Sequence, residues 1–207
     1  IQRSRGLGDV YKRQGGSPTN ISIGCSRLGL NSALVTRVGD EHMGRFIREQ
    51  LVREGVDTSY VKTDPDRLTA LVILGIRDGE RFPLVFYRED CADMAIEAAD
   101  MDADFIASAR AVVVTGTHFS TDRVAGASFT AMKMASQSDR LVAFDIDYRP
   151  SLWALGGHDD GESRFAESER VTAHLQTVLP YCDLIVGTEE EWHLSLIHIS
   201  EPTRPLD

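Results

Sequence analysis

Short, predominantly apolar runs alternate along the chain with stretches in which apolar residues return every three or four positions. The runs at residues 33–38, 111–115, 141–146 and 184–186 are too short for helices and rich in Val, Leu and Ala, so they read as buried strands. Periodic stretches at residues 20–28, 43–54, 122–135 and 164–179 read as helices. In the second of these, Phe46, Ile47, Leu51 and Val52 fall at helical spacing between Gly44 and Gly55, with charges opposite, which predicts an amphipathic, core-facing helix.

Residues 68–76 and 81–87 form a different pattern, two apolar strands flanking Asp78-Gly79, a dipeptide suited to the positive backbone angles of a tight hairpin turn. Leu71 and Ile73 point to one face, and Val72, Leu74 and Ile76 to the other, so neither side suits water. Cover is expected from a ligand or the protein body on one face and a second subunit on the other. After the hairpin, strands alternate with helices, the signature of βαβ crossovers and of a parallel sheet covered on both faces. The fold class is α/β with a small β appendage inserted at about residues 59–90, and no internal repeat is evident.

Composition narrows the partners. The 207 residues are 42% hydrophobic and 26% charged, inside the globular range. Lys and Arg number 22 against 32 Asp and Glu, a net charge of −10 that disfavours nucleic acid and acidic membrane surfaces. No stretch approaches the roughly 18 apolar residues of a membrane span. Cys25, Cys91 and Cys182 are widely spaced and offer no zinc-ligand pattern, so a reducing cytoplasmic location is expected. Residues 1–14 carry Arg3, Arg5, Lys12 and Arg13 against Asp9 on an otherwise acidic chain. This segment and residues 195–207 resemble peptides produced when sequencing-adapter DNA is translated. Both read as non-native tails around an informative span of 15–194.

Several common chemistries find no motif: there is no phosphate loop of the G-x-x-x-x-G-K-[ST] type, no G-x-G-x-x-G, no G-x-S-x-G and no H-E-x-x-H. What stands out first is Gly15-Gly16-Ser17-Pro18-Thr19-Asn20. Its glycines let backbone approach a ligand, its helix start offers unpaired N–H groups, and the Asn20 carboxamide both donates to and accepts from hydroxyls. Phe86-Tyr87-Arg88-Glu89 ends the second hairpin strand, where the Arg88 guanidinium suits a carboxylate. Asp145-Ile146-Asp147-Tyr148-Arg149-Pro150 follows an apolar strand at the end where ligand crevices form in open α/β sheets. Taken alone, that D-x-D also fits a dehalogenase-type phosphatase, although Arg149 stands where such motifs carry Thr or Val. Asp183 to Trp192 runs from strand into helix, with three acids, Glu189 to Glu191, in the first turn. His42, His118, His158, His174 and His193 sit at no ligand spacing and receive no role.

The pattern G-G-x-x-x-N-x-[AS]-x-x-x-x-x-L-G, followed by Val38-Gly39-Asp40 and Gly44, resembles the N-terminal signature of the ribokinase-like (PfkB) sugar kinases. The resemblance implies a partial Rossmann-like ribokinase fold over residues 15–194, with a β-sheet lid that closes over the sugar and mediates a homodimer. ATP would be the donor and Mg²⁺ its partner. Gly15, Gly16, Asn20, Tyr87, Arg88 and Arg149 would bind substrate, and Asp147, Thr188 and Glu191 would serve the nucleotide, with Glu191 reaching the metal through water. Thr188 stands where the family carries Asn. The segments Gly116-Thr117-His118, 144–153 and 186–191 are most similar to the 5-dehydro-2-deoxygluconokinase branch of inositol catabolism, with 2-keto-3-deoxygluconate kinase as the alternative. Both act on sugar acids. The family's catalytic G-A-G-D segment and its first strand are not found in these residues. The resemblance therefore implies a span of the first half to two thirds of a kinase, inactive by itself. A non-catalytic sugar-binding module remains the alternative from another class.

Overall fold

The computed structural model describes residues 13–74, 84–155 and 166–196. Helix α1, Ser17–Arg27, begins three residues before the apolar periodicity suggests, because Pro18 sits in the first turn, where its missing N–H costs nothing. Strand β1 (Thr36–Gly39), helix α2 (His42–Arg53) and strand β2 (Val61–Asp64) follow, with β1 and β2 parallel. Ile23, Leu34, Val38, Leu51, Val56 and Val61 make their common core, and Ile47 packs against it. Val52 is exposed, so the buried stripe of α2 is narrower than its pattern implies.

The Val38-Gly39-Asp40…Gly44 segment has a packing explanation. A β-carbon on Gly44 would overlap the carbonyl oxygen of Gly39, and one on Gly39 would come within 2.5 Å of the Arg67 carbonyl and 2.9 Å of the Thr69 nitrogen. Only backbone fits there. The Glu41 carboxylate caps α2 by accepting from Met43 and Gly44, and it also accepts from Thr69 N at 3.1 Å, tying the helix start to the chain that enters the appendage.

Strands β3 (Leu71–Leu74) and β4 (Leu84–Tyr87) pair antiparallel, Leu71 opposite Tyr87 and Leu74 opposite Leu84. The Asp78-Gly79 turn lies outside the described residues. All four residues of β3 are exposed, at 43–54%.

Helix α3 (Ala103–Ser108), strand β5 (Ala111–Thr115), helix α4 (Asp122–Gln137), strand β6 (Leu141–Asp145), helix α5 (Glu169–Val178), strand β7 (Leu184–Val186) and helix α6 (Glu189–Leu196) follow, with short 3-10 turns between some of them. The three strands form a parallel sheet in the order β5-β6-β7. Val114, Val142 and Phe144 meet Ala131, Met132 and Ala135 of α4 and Val171, Leu175 and Val178 of α5 in the main core. Each large side chain fully buried there contributes about 1.5–3 kcal/mol. The opposite face departs from the expectation of cover on both sides: Val113, Leu184 and Val186 remain 44–58% exposed. Helix α5 starts at Glu169 rather than 164, because Ser168 accepts from Val171 N and sets the N-cap; residues 156–165 lie outside the described set.

Asp100 joins the two parts of the molecule. Its carboxylate receives Arg37 Nε at 2.8 Å and Lys62 Nζ at 2.9 Å, from β1 and β2, while its own turn packs on α4. Burial works against its charge, but the hydrogen bonds from Arg37 and Lys62 prevail and hold the carboxyl down at about 2.

Candidate active site

In-register pairing brings Thr115, Asp145 and Val186 side by side at the C-terminal ends of β5, β6 and β7. The segments leaving these ends carry His118, then Asp147 and Arg149, then Thr188 and Glu191. Two glycines allow the loops to close together. A β-carbon on Gly116 would overlap the carbonyl oxygen of Ile146, and one on Gly187 would lie 2.9 Å from Ile146 Cδ1 and 3.3 Å from Glu191 Oε2. The start of α1 arrives at the same place: Ser17 Oγ donates to Asp145 Oδ2 at 2.9 Å across 128 positions of sequence. Gly16, at φ 92, makes the turn that directs this helix start, and its N-cap position has no side-chain cap. Gly15, Gly16 and Asn20 are all exposed there.

Glu191 is the centre of the second group. Its Oε2 accepts from Thr188 N at 2.8 Å while Thr188 Oγ1 accepts from Glu191 N at 3.4 Å, a capping box at the start of α6. Its Oε1 accepts from Tyr148 N at 2.8 Å, so one carboxylate, 7% exposed, locks the loop after β6 to the loop after β7. Arg149 Nη2 lies 2.7 Å from Asp147 Oδ1, and Arg149 Nη1 donates to Tyr148 O at 2.7 Å and stands 3.8 Å from Glu191 Oε1. Asp147 adopts a left-handed backbone, φ 34. Burial pushes its carboxyl up; Arg149 opposes this, and the charges of Asp145 and Glu191 add to it.

The lid side contributes Arg88. Its Nε donates to Asp93 Oδ2 at 2.6 Å, and Asp93 Oδ1 is a buried oxygen without a hydrogen-bond partner among the described residues. The charge of Arg88 is among those acting on Asp147 and on His118. His118 is partly buried, and burial, with Arg88 adding to it, pushes the imidazole down to about 4. Tyr87 is 56% exposed on β4.

The structure thus gathers Asp147, Arg149, Thr188 and Glu191 with one another, brings Ser17, which follows Gly16, to Asp145, and makes Arg88 one of the charges acting on Asp147. A bracing pair between Asp145 and Arg149, the plainest structural role for the loop, does not form; Asp145 meets Ser17 and Arg149 meets Asp147. Three participants carried no sequence signal strong enough to single them out. Ser17 is visible only as part of the Gly-Gly turn, Asp93 follows a Cys-Ala pair with no motif of its own, and His118 falls in the Gly116-Thr117-His118 segment but at no ligand spacing from the other histidines.

The family model described as pfkB family carbohydrate kinase matches residues 6–198. The chain belongs to the pfkB family. It is 34% identical over 184 residues to a 5-dehydro-2-deoxygluconokinase of Geobacillus kaustophilus, covering 88% of this chain and 51% of that protein. A Bacillus thuringiensis protein of the same name is 32% identical over 185 residues, covering 88% and 52%. Among solved structures, a Polaromonas PfkB protein superimposes with a TM-score of 0.79 at 27% identity, covering 89% of this chain and 59% of that one. A fructokinase from Xylella fastidiosa with bound ATP has the same fold at 22% identity and a TM-score of 0.75, covering 88% and 52%. This pfkB-family chain therefore spans about half the length of the curated relatives it matches. Membership removes the ground for a dehalogenase-type reading of Asp145 and Asp147. No helix among the described residues is long and apolar enough to cross a membrane.

Proposed function

We propose that the complete protein to which these residues belong is a cytoplasmic sugar-acid kinase that phosphorylates a primary hydroxyl, with 5-dehydro-2-deoxygluconate as its acceptor. The observation that carries this reading is the pair of guanidinium groups, Arg149 from the sheet, 2.7 Å from Asp147 Oδ1, and Arg88 from the lid, whose charge also acts on Asp147. An acidic protein that binds an anion needs local cations, and arginine's fork matches a carboxylate or an incoming phosphate. Similarity to proteins named 5-dehydro-2-deoxygluconokinase supports the choice of acid.

In this account the exposed start of α1 offers Gly15 and Gly16 backbone groups and the Asn20 carboxamide to sugar hydroxyls, while Tyr87 and Arg88 close from the lid. Asp147, Thr188 and Glu191 serve the nucleotide side. Bound MgATP supplies the phosphoryl group. The residues suit a hydrated cation better than a directly ligated one. Both oxygens of Glu191 already accept main-chain N–H groups, and among the described residues no three acidic, His or Cys side chains form a metal-binding group. Asp147 and Glu191 nonetheless bring together negative charge that a cation would relieve. We also propose that the 207-residue chain alone does not turn over, and that the exposed side chains of β3, with Tyr87 of β4, form a lid-to-lid homodimer in the complete protein.

The test is ADP release by the product of the uninterrupted reading frame, offered 5-dehydro-2-deoxygluconate, 2-keto-3-deoxygluconate and fructose. The first should be the best acceptor. Preference for the second would move the assignment to the other sugar acid, and ATP-independent binding of either acid with no turnover would make the protein a binding module.

A further inference from the structure

At its N-terminal end α1 has one hydrogen bond to the sheet among the described residues, Ser17 Oγ to Asp145 Oδ2. The helix start has no side-chain cap, and the glycines before it are exposed; a β-carbon on Gly15 would meet nothing within 4 Å. Packing secures the helix further along, through Thr19, Ser22 and Ile23, and a bidentate Arg27–Glu54 pair secures its far end. The first turn, in which Thr19 is buried, is therefore tied to the sheet by one side-chain hydrogen bond among the described residues, to a carboxylate, the stronger class. Asp145 is well suited to set that placement. It is the last residue of β6, held in register between Thr115 and Val186, and the loop bearing Asp147 and Arg149 leaves directly from it.

We infer that Asp145 is a positioning residue for the sugar. Acting through Ser17, it sets the separation between the hydroxyl-binding start of α1 and the cation at Arg149, so that both ends of a sugar acid are held in one geometry. This rests on the functional reading above and assigns Asp145 a role that neither the glycine motif nor the D-x-D motif implied. Small displacements of groups that orient a substrate are costly, so a single contact that sets their placement has a kinetic effect.

Complete-length Ser17→Ala, Asp145→Ala and the double variant test it in the kinase assay. Each single substitution should raise the sugar-acid KM about tenfold, the cost of one such hydrogen bond, and leave the KM for ATP within about twofold. The double variant should be no worse than either single one, because both remove the same contact. Ser17→Thr, which keeps the hydroxyl, should restore the KM. Should Asp145→Ala fail to fold, the Ser17 pair decides alone. A normal KM in Ser17→Ala, additive losses, or a parallel rise in the KM for ATP would each overturn the inference while the unsubstituted enzyme remains active. An unsubstituted enzyme inactive on both sugar acids would overturn the functional reading itself and this inference with it.

Discussion

Arg88 and Arg149 each commit part of a guanidinium inside the protein, Arg88 through Nε to Asp93 and Arg149 through Nη2 to Asp147 and Nη1 to Tyr148 O. That fixes the plane of each fork before any ligand arrives, at lower ordering cost than a free lysine would incur. Arg149 is also the nearest cation opposing the burial that raises Asp147. Arg149→Gln should therefore push the Asp147 carboxyl higher still, read from its side-chain ¹³C shift against pH; an unchanged midpoint would mean that the pair does not govern this carboxyl. His118 makes a second prediction at this scale. With its folded value near 4 against an ordinary 6.5, the unfolded chain takes up a proton between those values and the folded one does not. Acidification through that window should cost stability, and NMR should show the His118 ring neutral at pH 6.

At the scale of elements, two glycines in helices behave in opposite ways. Gly44→Ala should destabilise by about 2 kcal/mol, because the added methyl overlaps backbone that cannot withdraw. Gly24→Ala, with nothing within 4 Å of the new carbon, should be neutral or stabilising by up to about 1 kcal/mol. Thermal unfolding of both variants checks the contrast. The β3–β4 ribbon poses a different problem, since a two-stranded ribbon in which every β3 side chain is exposed is marginal alone. Light scattering on the complete protein should find a dimer that Ile73→Lys dissociates. How far these elements were legible depended on the strength of their patterns. The Val112-Val113-Val114 and Leu184-Ile185-Val186 runs announce strands, although Val113, Leu184 and Val186 stay exposed, and Asp145 and Asp147 after the neighbouring β6 run mark the site end. Strand β2 escaped notice because Val61-Lys62-Thr63-Asp64 has one apolar residue and pairs by its backbone with β1. Arg88 and Arg149 were recognisable from residue chemistry. Asp147, two residues before Arg149, was recognisable with it, and Asp93 lies only five residues beyond Arg88; the Ser17–Asp145 contact, across 128 positions, arises from tertiary placement that periodicity does not encode.

Across the whole molecule, the network at Asp100 links β1 and β2 to the turn that packs on α4. Its folded carboxyl near 2, against an ordinary 3.8, is depressed, so its contribution is complete above about pH 4 and is lost as pH falls toward 2. Asp100→Asn should remove about 2 kcal/mol at pH 7 and flatten the acid limb of the stability profile. The uncovered side of the β5-β6-β7 sheet, with Leu141, Val113, Leu184 and Val186 exposed, should make the 207-residue chain bind a hydrophobic dye and self-associate. The central claim, that two arginines select an acidic carbohydrate at the strand ends, is tested most directly by comparing kcat/KM for 5-dehydro-2-deoxygluconate and for fructose in the complete protein and its Arg88→Ala variant. The account predicts a preference for the acid of at least about tenfold that the substitution abolishes by lowering only the acid's value. Equal use of both sugars, or a preference untouched by the loss of Arg88, would contradict it.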